Sequence, residues 1–217
     1  MELLGIEVSC CEVWTNCRQK RCTSVIDVHL NTTMRLLTAT LSPTPVPWLP
    51  VLANIEPPAL RRKAAVHKLI TKAVEHEECA LHDDFVFPSQ QKLMSRKPLW
   101  SNIQPLNTTA RWRDDWKLAV VVNNFFVEDP AIRQPGFDLP RRQWCLLNRF
   151  RTAQGHCGAY HKRWGLASND SCDCAEIQTM SHIVECCAVT KLDGGLLRLL
   201  SADDCAVNWL TLYGRYI

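Results

Sequence analysis

Three cysteines and one histidine, Cys172, Cys174, His182 and Cys186, fall in the order C-x-C-x7-H-x3-C. Three thiols and one imidazole make a complete tetrahedral set for Zn²⁺, which takes Cys sulfur and His nitrogen in closed structural sites. Such a set constrains a chain more than any apolar pattern, because four side chains must meet at one point. The stretch from Thr179 to Cys186 reads as a helical turn, and residues four apart share one helix face. His182 and Cys186 would then point together at a metal held from the other side by Cys172 and Cys174. The single residue between the first two cysteines is a tighter gap than the usual two to four. Ordinary buried thiols are the competing reading of the spacing, and Cys187, His156, Cys157 and His161 are further donors close in sequence.

The chain has 217 residues, twelve of them cysteine. Met1 to Glu7 lacks a basic start and a long apolar run, so the expectation is no signal peptide. Twelve thiols without secretion point to a reducing compartment and to metal rather than to disulfides. The expected location is therefore cytoplasmic and/or nuclear. Compact apolar runs such as Leu118 to Val122 are too short to cross a bilayer. Asn31-Thr32-Thr33 and Asn107-Thr108-Thr109 read as chance matches to glycosylation acceptors. Cys10, Cys11, Cys17 and Cys22 could form a second metal site, although no turn or helix signal flanks them.

The periodicity is helical throughout, with no long strand alternation. A helix is expected from Ser24, with Ile26, Leu30, Leu37 and Leu41 on one face and Met34 beside them. It must stop at Pro43, Pro45, Pro47 and Pro50, since prolines remove donors and force extended backbone. That stretch reads as an extended connector packed down through Trp48, or as a polyproline ligand. Pro57-Pro58 opens a second helix, whose Arg61, Lys68 and Lys72 read as a solvated face, with phosphate contact as the alternative. A third helix is expected over Thr109 to Phe126, anchored by Trp112, Trp116, Val120 and Phe125. Asp138-Leu139-Pro140 opens a fourth, with Trp144, Leu147 and Phe150 inward and Gly155 at its end. Leu196 to Tyr213 is a last helix interrupted at Ser201 to Asp204. The fold class expected is mainly α: a small helical bundle with irregular Pro-rich connectors and a C-terminal Cys/His set, which the resemblance given below makes a CCHC zinc knuckle. Residues 1–23 are unassigned, 24–130 form a helical region, and 131–217 hold the basic helix, the Cys/His set and the last helix.

The net charge of +3 says little, but its distribution is uneven. Residues 133–165 hold seven basic side chains against Asp138 alone, a local charge of +6, while residues 166–217 come to −4. Arg141, Arg142, Arg149, Arg151, Lys162 and Arg163 lie just upstream of the Cys/His set and are the candidate phosphate contacts.

Several segments together resemble a known family. Val28 to Arg35, Pro43-Thr44-Pro45, Trp48 to Ile55 and Pro57 to Arg62 are similar to the region after the polymerase core in non-LTR retrotransposon reverse transcriptases, jockey and RTE-like elements above all. The likeness continues in Arg96 to Trp100 and is strongest in Pro135 to Arg142, Leu147 to Thr152 and Trp164-Gly165-Leu166. The Cys/His set falls where those proteins carry a C-terminal CCHC zinc knuckle. The resemblance implies zinc at Cys172, Cys174, His182 and Cys186, and a thumb-like region that helps hold template RNA or target DNA during target-primed reverse transcription.

The chain also departs from that family. Polymerase chemistry needs an aromatic-x-Asp-Asp hairpin and a further Asp, because two Mg²⁺ ions require convergent carboxylates. Ser201-Ala202-Asp203-Asp204 lacks the aromatic and follows the knuckle, and Asp83-Asp84 and Asp114-Asp115 lack strand flanks. All three read as surface carboxylates. The expectation is a non-enzymatic C-terminal fragment that binds zinc and RNA or DNA. The alternatives are a protein-interaction module that uses zinc only to fix its fold, and a genomic remnant of a mobile element.

Overall fold

The computed structural model describes residues 20–80, 82–86 and 107–213. Cys10, Cys11 and Cys17, the side chain of Cys22, and the segment Arg96 to Trp100 lie outside what it describes. Among the described residues the chain is helical, with no strand and one antiparallel bridge between Ser171 and Ile177. It divides into two compact units, one drawn from Met1–Leu30 and Glu56–Trp112, the other from Asn31–Ile55 and Arg113–Ile217. Residues 31–55 and 113–130, which the sequence groups with the first half, thus belong with the second unit.

In the first unit, α3 (Pro58–Glu75) begins where the proline pair predicts, with Pro57 as its cap residue. Proline suits this place because the first helical amides have no partner inside the helix. The Arg62 guanidinium pairs with both Asp27 carboxylate oxygens at 2.5 and 3.1 Å. The short α4 (His82–Val86) is tied to α3 through His82 Nδ1 and the Ala73 carbonyl, 3.1 Å apart. Thr108 donates to Glu56 Oε1 at 2.6 Å.

The second unit carries the site. Helix α1 (Lys20–Thr38) ends at left-handed Ala39. Met34 is buried, but Leu37 is exposed, so the apolar face expected for this helix is only partly used. The Pro-rich stretch is not extended to its end: α2 (Trp48–Ala53) forms inside it, with Pro50 in the first turn, where a missing amide costs nothing. Trp48 is fully buried, as the sequence suggests. Its indole donates to the Val122 carbonyl at 3.1 Å, and its ring meets that of Trp116 edge-on with centroids 4.9 Å apart.

The third helix is shorter than its apolar pattern implies. Helix α5 (Thr108–Lys117) stops before the run Val120-Val121-Val122, and only a 3₁₀ turn, Asn124–Phe126, follows. Three successive β-branched residues disfavour helix, and Asn123 turns the chain through a left-handed conformation at φ 64°. Trp116 stays buried and donates to the Val127 carbonyl at 3.0 Å, whereas Val120 and Phe125, expected as anchors, are 100% and 73% exposed.

Helix α6 (Arg141–Arg151) starts after Pro140 with no side-chain cap, Asp138 standing exposed beside Arg133. Trp144, Leu147 and Phe150 point inward as expected. They form one core with Ile183 and Val184, with α8 (Gly195–Ser201) through Leu196 and Leu199, and with α9 (Asp204–Tyr213) through Ala206 and Leu210. Phe150 meets Trp209 and Tyr213 edge-on at 5.4 and 5.6 Å. Gly155 lies beyond the end of α6; a Cβ there would meet Met180 Cε at 2.5 Å, so the glycine allows close approach to the start of the metal-facing turn. The break at Ser201 to Asp204 is real. Ala202 is left-handed, and the Asp203 carboxylate accepts from the Ala206 amide at 2.7 Å and pairs with Arg198 at 3.0 Å.

Candidate metal centre

The first half of the site is a tight turn closed by backbone. Cys172 N–H donates to the Glu176 carbonyl at 2.7 Å, Ala175 N–H to the Cys172 carbonyl at 2.8 Å, and Gln178 N–H to the Asp170 carbonyl at 2.8 Å. Ala175 takes a left-handed φ of 72°, which lets two cysteines separated by one residue turn back toward each other. The Gln178 side chain lies with Nε2 3.8 Å from Cys172 Sγ and accepts the Gly158 amide at 2.7 Å. Together with the Ala159 amide bonded to the Gln178 carbonyl at 3.0 Å, this pins the turn to the start of α7 (Gly158–Arg163).

The second half is a helical turn capped by Thr179, whose hydroxyl accepts the His182 amide at 3.1 Å. It is not an α-helical turn. Residues His182–Cys186 wind as a π-turn, and the Cys187 amide bonds back to the His182 carbonyl at 2.8 Å. A π-turn closes over five residues rather than four, so the residue that shares a face with His182 is Cys187. The four donor atoms brought together, all within 4.8 Å of one another, belong to Cys172, Cys174, His182 and Cys187. Cys186, the fourth ligand expected from the spacing, is exposed and stands outside the set, while Cys187 is buried.

The separations test whether a tetrahedral ion fits. With metal–sulfur bonds of about 2.3 Å and metal–nitrogen bonds of about 2.0–2.1 Å, tetrahedral edges come to roughly 3.8 Å between sulfurs and 3.5 Å between sulfur and nitrogen. Cys172 Sγ and Cys187 Sγ are 3.6 Å apart, Cys187 Sγ and Cys174 Sγ 4.0 Å, and Cys174 Sγ and His182 Nε2 3.2 Å. The donor set fits a four-coordinate cation that takes sulfur and nitrogen.

The electrostatics agree. Burial pushes the Cys187 thiol up, but hydrogen bonds from the Thr190 hydroxyl, the Val189 and Thr190 amides and Cys172 outweigh it and bring it down to about 6. The Thr190 hydroxyl has one proton and also bonds the Ile183 carbonyl at 2.8 Å, so the two amides are its steadier support. The Cys174 thiol shifts the other way: the Glu176 amide lowers it, while burial and its hydrogen bonds to Cys172 and Cys187 raise it further. Neighbouring thiols that give up one proton readily hold the next more tightly, and a bound cation removes that conflict by favouring every thiolate at once.

The basic block is divided by the fold. Arg151 is 2% exposed and donates to Asn148 Oδ1 at 3.2 Å and to the Pro135 carbonyl. Its guanidinium lies over the Trp144 ring, 5.3 Å from the centroid. Burial pushes it down to about 9, still charged at neutral pH, so Arg151 is a core residue and not the phosphate contact expected of it. Arg141 is exposed, but its guanidinium donates to the Leu36 and Leu37 carbonyls and serves the last turn of α1. Arg149 is half-buried. Arg142, Lys162 and Arg163 remain exposed, Lys162 in an ion pair of 3.1 Å with Asp170.

The chain matches no protein-family model, no curated protein and no solved structure. No helix among the described residues is long and apolar enough to cross a membrane.

Proposed function

We propose that Cys172, Cys174, His182 and Cys187 hold one structural Zn²⁺, and that this zinc-fixed region is a non-catalytic nucleic-acid-binding module of the kind found at the C-terminus of non-LTR retrotransposon reverse transcriptases. Zinc is favoured over harder cations by three thiolates and an imidazole, and over a catalytic role by the closed four-ligand set. When bound, the ion would cross-link two short segments whose side chains share no disulfide. Gln178 orients Cys172, and Thr179 sets the register of the turn that presents His182 and Cys187.

The observation that carries the nucleic-acid reading is the pinning of α7 to the metal turn. Because Gln178 bonds both Gly158 and Ala159, Lys162 and Arg163 at the end of α7 travel with the Cys/His set as one piece. A rigid cationic edge of this kind suits phosphate contact. Binding to single-stranded RNA and DNA should then fall by about 0.7 log units per log unit of salt for each phosphate neutralised. A salt-independent affinity, or none, would overturn the reading. A second reading, a protein-interaction module, is favoured by Leu118, Val120 and Phe125, which are 79%, 100% and 73% exposed close together in sequence.

A further inference from the structure

Beside the four-ligand turn stands a second pair of nitrogen donors. His156, in the loop after α6, and His161, on α7, bring Nδ1 and Nε2 to 3.0 Å. Their rings cross at 64°, and Trp164 lies edge-on against His156 with centroids 5.6 Å apart. We propose that His156 and His161 form a second metal site, a two-nitrogen clamp for a borderline divalent cation that prefers ligands at right angles, such as Ni²⁺ or Cu²⁺. Its two donors are not in the Cys/His set, although Cys172 of that set lines the same cleft, and the proposal does not depend on the zinc reading.

The bite of the clamp suits such an ion. With metal–nitrogen bonds of about 2.0–2.1 Å, two nitrogens 3.0 Å apart subtend about 94° at the metal, whereas tetrahedral ligands would stand roughly 3.4 Å apart. An angle near 90° is that of neighbouring positions in square-planar or octahedral coordination, and imidazole is a good donor for both Ni²⁺ and Cu²⁺. The molecule therefore carries two donor sets of different hardness, one of sulfur and nitrogen and one of nitrogen alone.

The remaining coordination positions have somewhere to go. Both histidines line a cleft of about 590 Å³, whose other walls include Cys157, Cys172, Asp173 and Tyr213, leaving room for water on the clamp. The positive charge of Arg149 lies close to His156 and works against a bare cation here, so anionic or water ligands must complete the shell. In the metal-free pair one ring donates its N–H to the other. Taking up a cation requires each neutral ring to keep its one proton on its other nitrogen, with no net proton released.

The test adds Ni²⁺ alone to the full chain already loaded with zinc, followed by desalting, metal analysis and X-ray absorption at the nickel edge. The expected result is one nickel per chain in a nitrogen and oxygen shell, with no thiolate-to-nickel charge-transfer band and with zinc retained. His156→Ala and His161→Ala should each lose the nickel while keeping zinc and helical circular dichroism. Absence of bound nickel, a sulfur-ligated nickel that displaces zinc, or unchanged uptake in the doubly substituted His156→Ala/His161→Ala chain would each overturn the proposal. Because the shell is read on the unsubstituted protein, the outcome stands even where a variant fails to fold. Failure of the zinc reading shows separately, as absence of zinc before any nickel is added.

Discussion

Replacing Cys187 or Cys186 by serine separates the two ways of closing the metal turn. Cys187 Sγ lies 3.6 Å from Cys172 Sγ and 4.0 Å from Cys174 Sγ, close to the tetrahedral edge, while the exposed Cys186 is outside the set. A structural zinc site in a small domain is worth about 10–16 kcal/mol, so an equal share for one ligand of four is about 2.5–4 kcal/mol. At about 1.4 kcal/mol per tenfold, Cys187→Ser should weaken zinc affinity by roughly 10²–10³. Cys186→Ser removes an exposed group and should change it by about twofold at most, the range of ordinary surface substitutions. The assay is competition for zinc against a chelator of known affinity. Co²⁺ substitution gives a second readout, since the thiolate-to-cobalt band should lose about a third of its intensity only where one of three thiolates is lost. If Cys186→Ser weakens zinc as much as Cys187→Ser does, the five-residue turn is wrong and the four-residue spacing is right.

Four further outcomes follow from the same contacts. Leu147→Ala and Leu199→Ala, each at 0% exposure in the core around α6, should each cost about 2–5 kcal/mol in urea unfolding; a loss below about 1 kcal/mol would show that this core is not packed as described. Arg142→Ala, Lys162→Ala and Arg163→Ala combined should flatten the salt dependence of RNA binding and leave zinc content intact, while Arg151→Ala should chiefly lower stability. Asp203 is held below the usual carboxylate range by the Ala206 amide and then by Arg198. Its contribution is therefore present above the unfolded carboxylate pKa and lost as pH falls through the lower folded one, so Asp203→Ala should destabilise at neutral pH and have no effect in strong acid. Burial, then the nearby Cys157, Cys172 and Cys187, push the Tyr213 hydroxyl up to about 12. The stability this represents is complete below the unfolded value near 10 and lost as pH rises through 12; ultraviolet titration should show a late phenolate phase that Tyr213→Phe removes.

Much of the fold was legible because local rules decided it. The proline pair starts α3, the apolar spacing of Trp144, Leu147 and Phe150 marks the buried face of α6, and the chain breaks at Ser201 to Asp204, where Asp203 caps α9. Where several rules competed, the pattern misled. Apolar residues from Trp112 to Phe125 suggested one long helix, but three valines and a left-handed Asn123 end it early, and Trp48 and Trp116 take Val122 and Val127 carbonyls instead. Charge counting met the same limit. Seven basic side chains in 33 residues look alike in sequence, yet Arg151 is buried under Trp144 and Arg141 caps α1.

Sequence alone determined the chemistry of the site: three thiols and an imidazole within fifteen residues, with Cys187 already beside the expected ligand. Which thiol completes the set was decided only in three dimensions. Ile183 and Val184 are drawn into the core, the Leu192 amide bonds the Val184 carbonyl at 2.9 Å, and Thr190 bonds the Ile183 carbonyl. These contacts accompany a turn that closes over five residues and carries Cys187, not Cys186, round to His182. Local preference favours closure over four residues, a five-residue turn being rare, so distant packing has to override it, and no spacing rule read along the chain contains that choice.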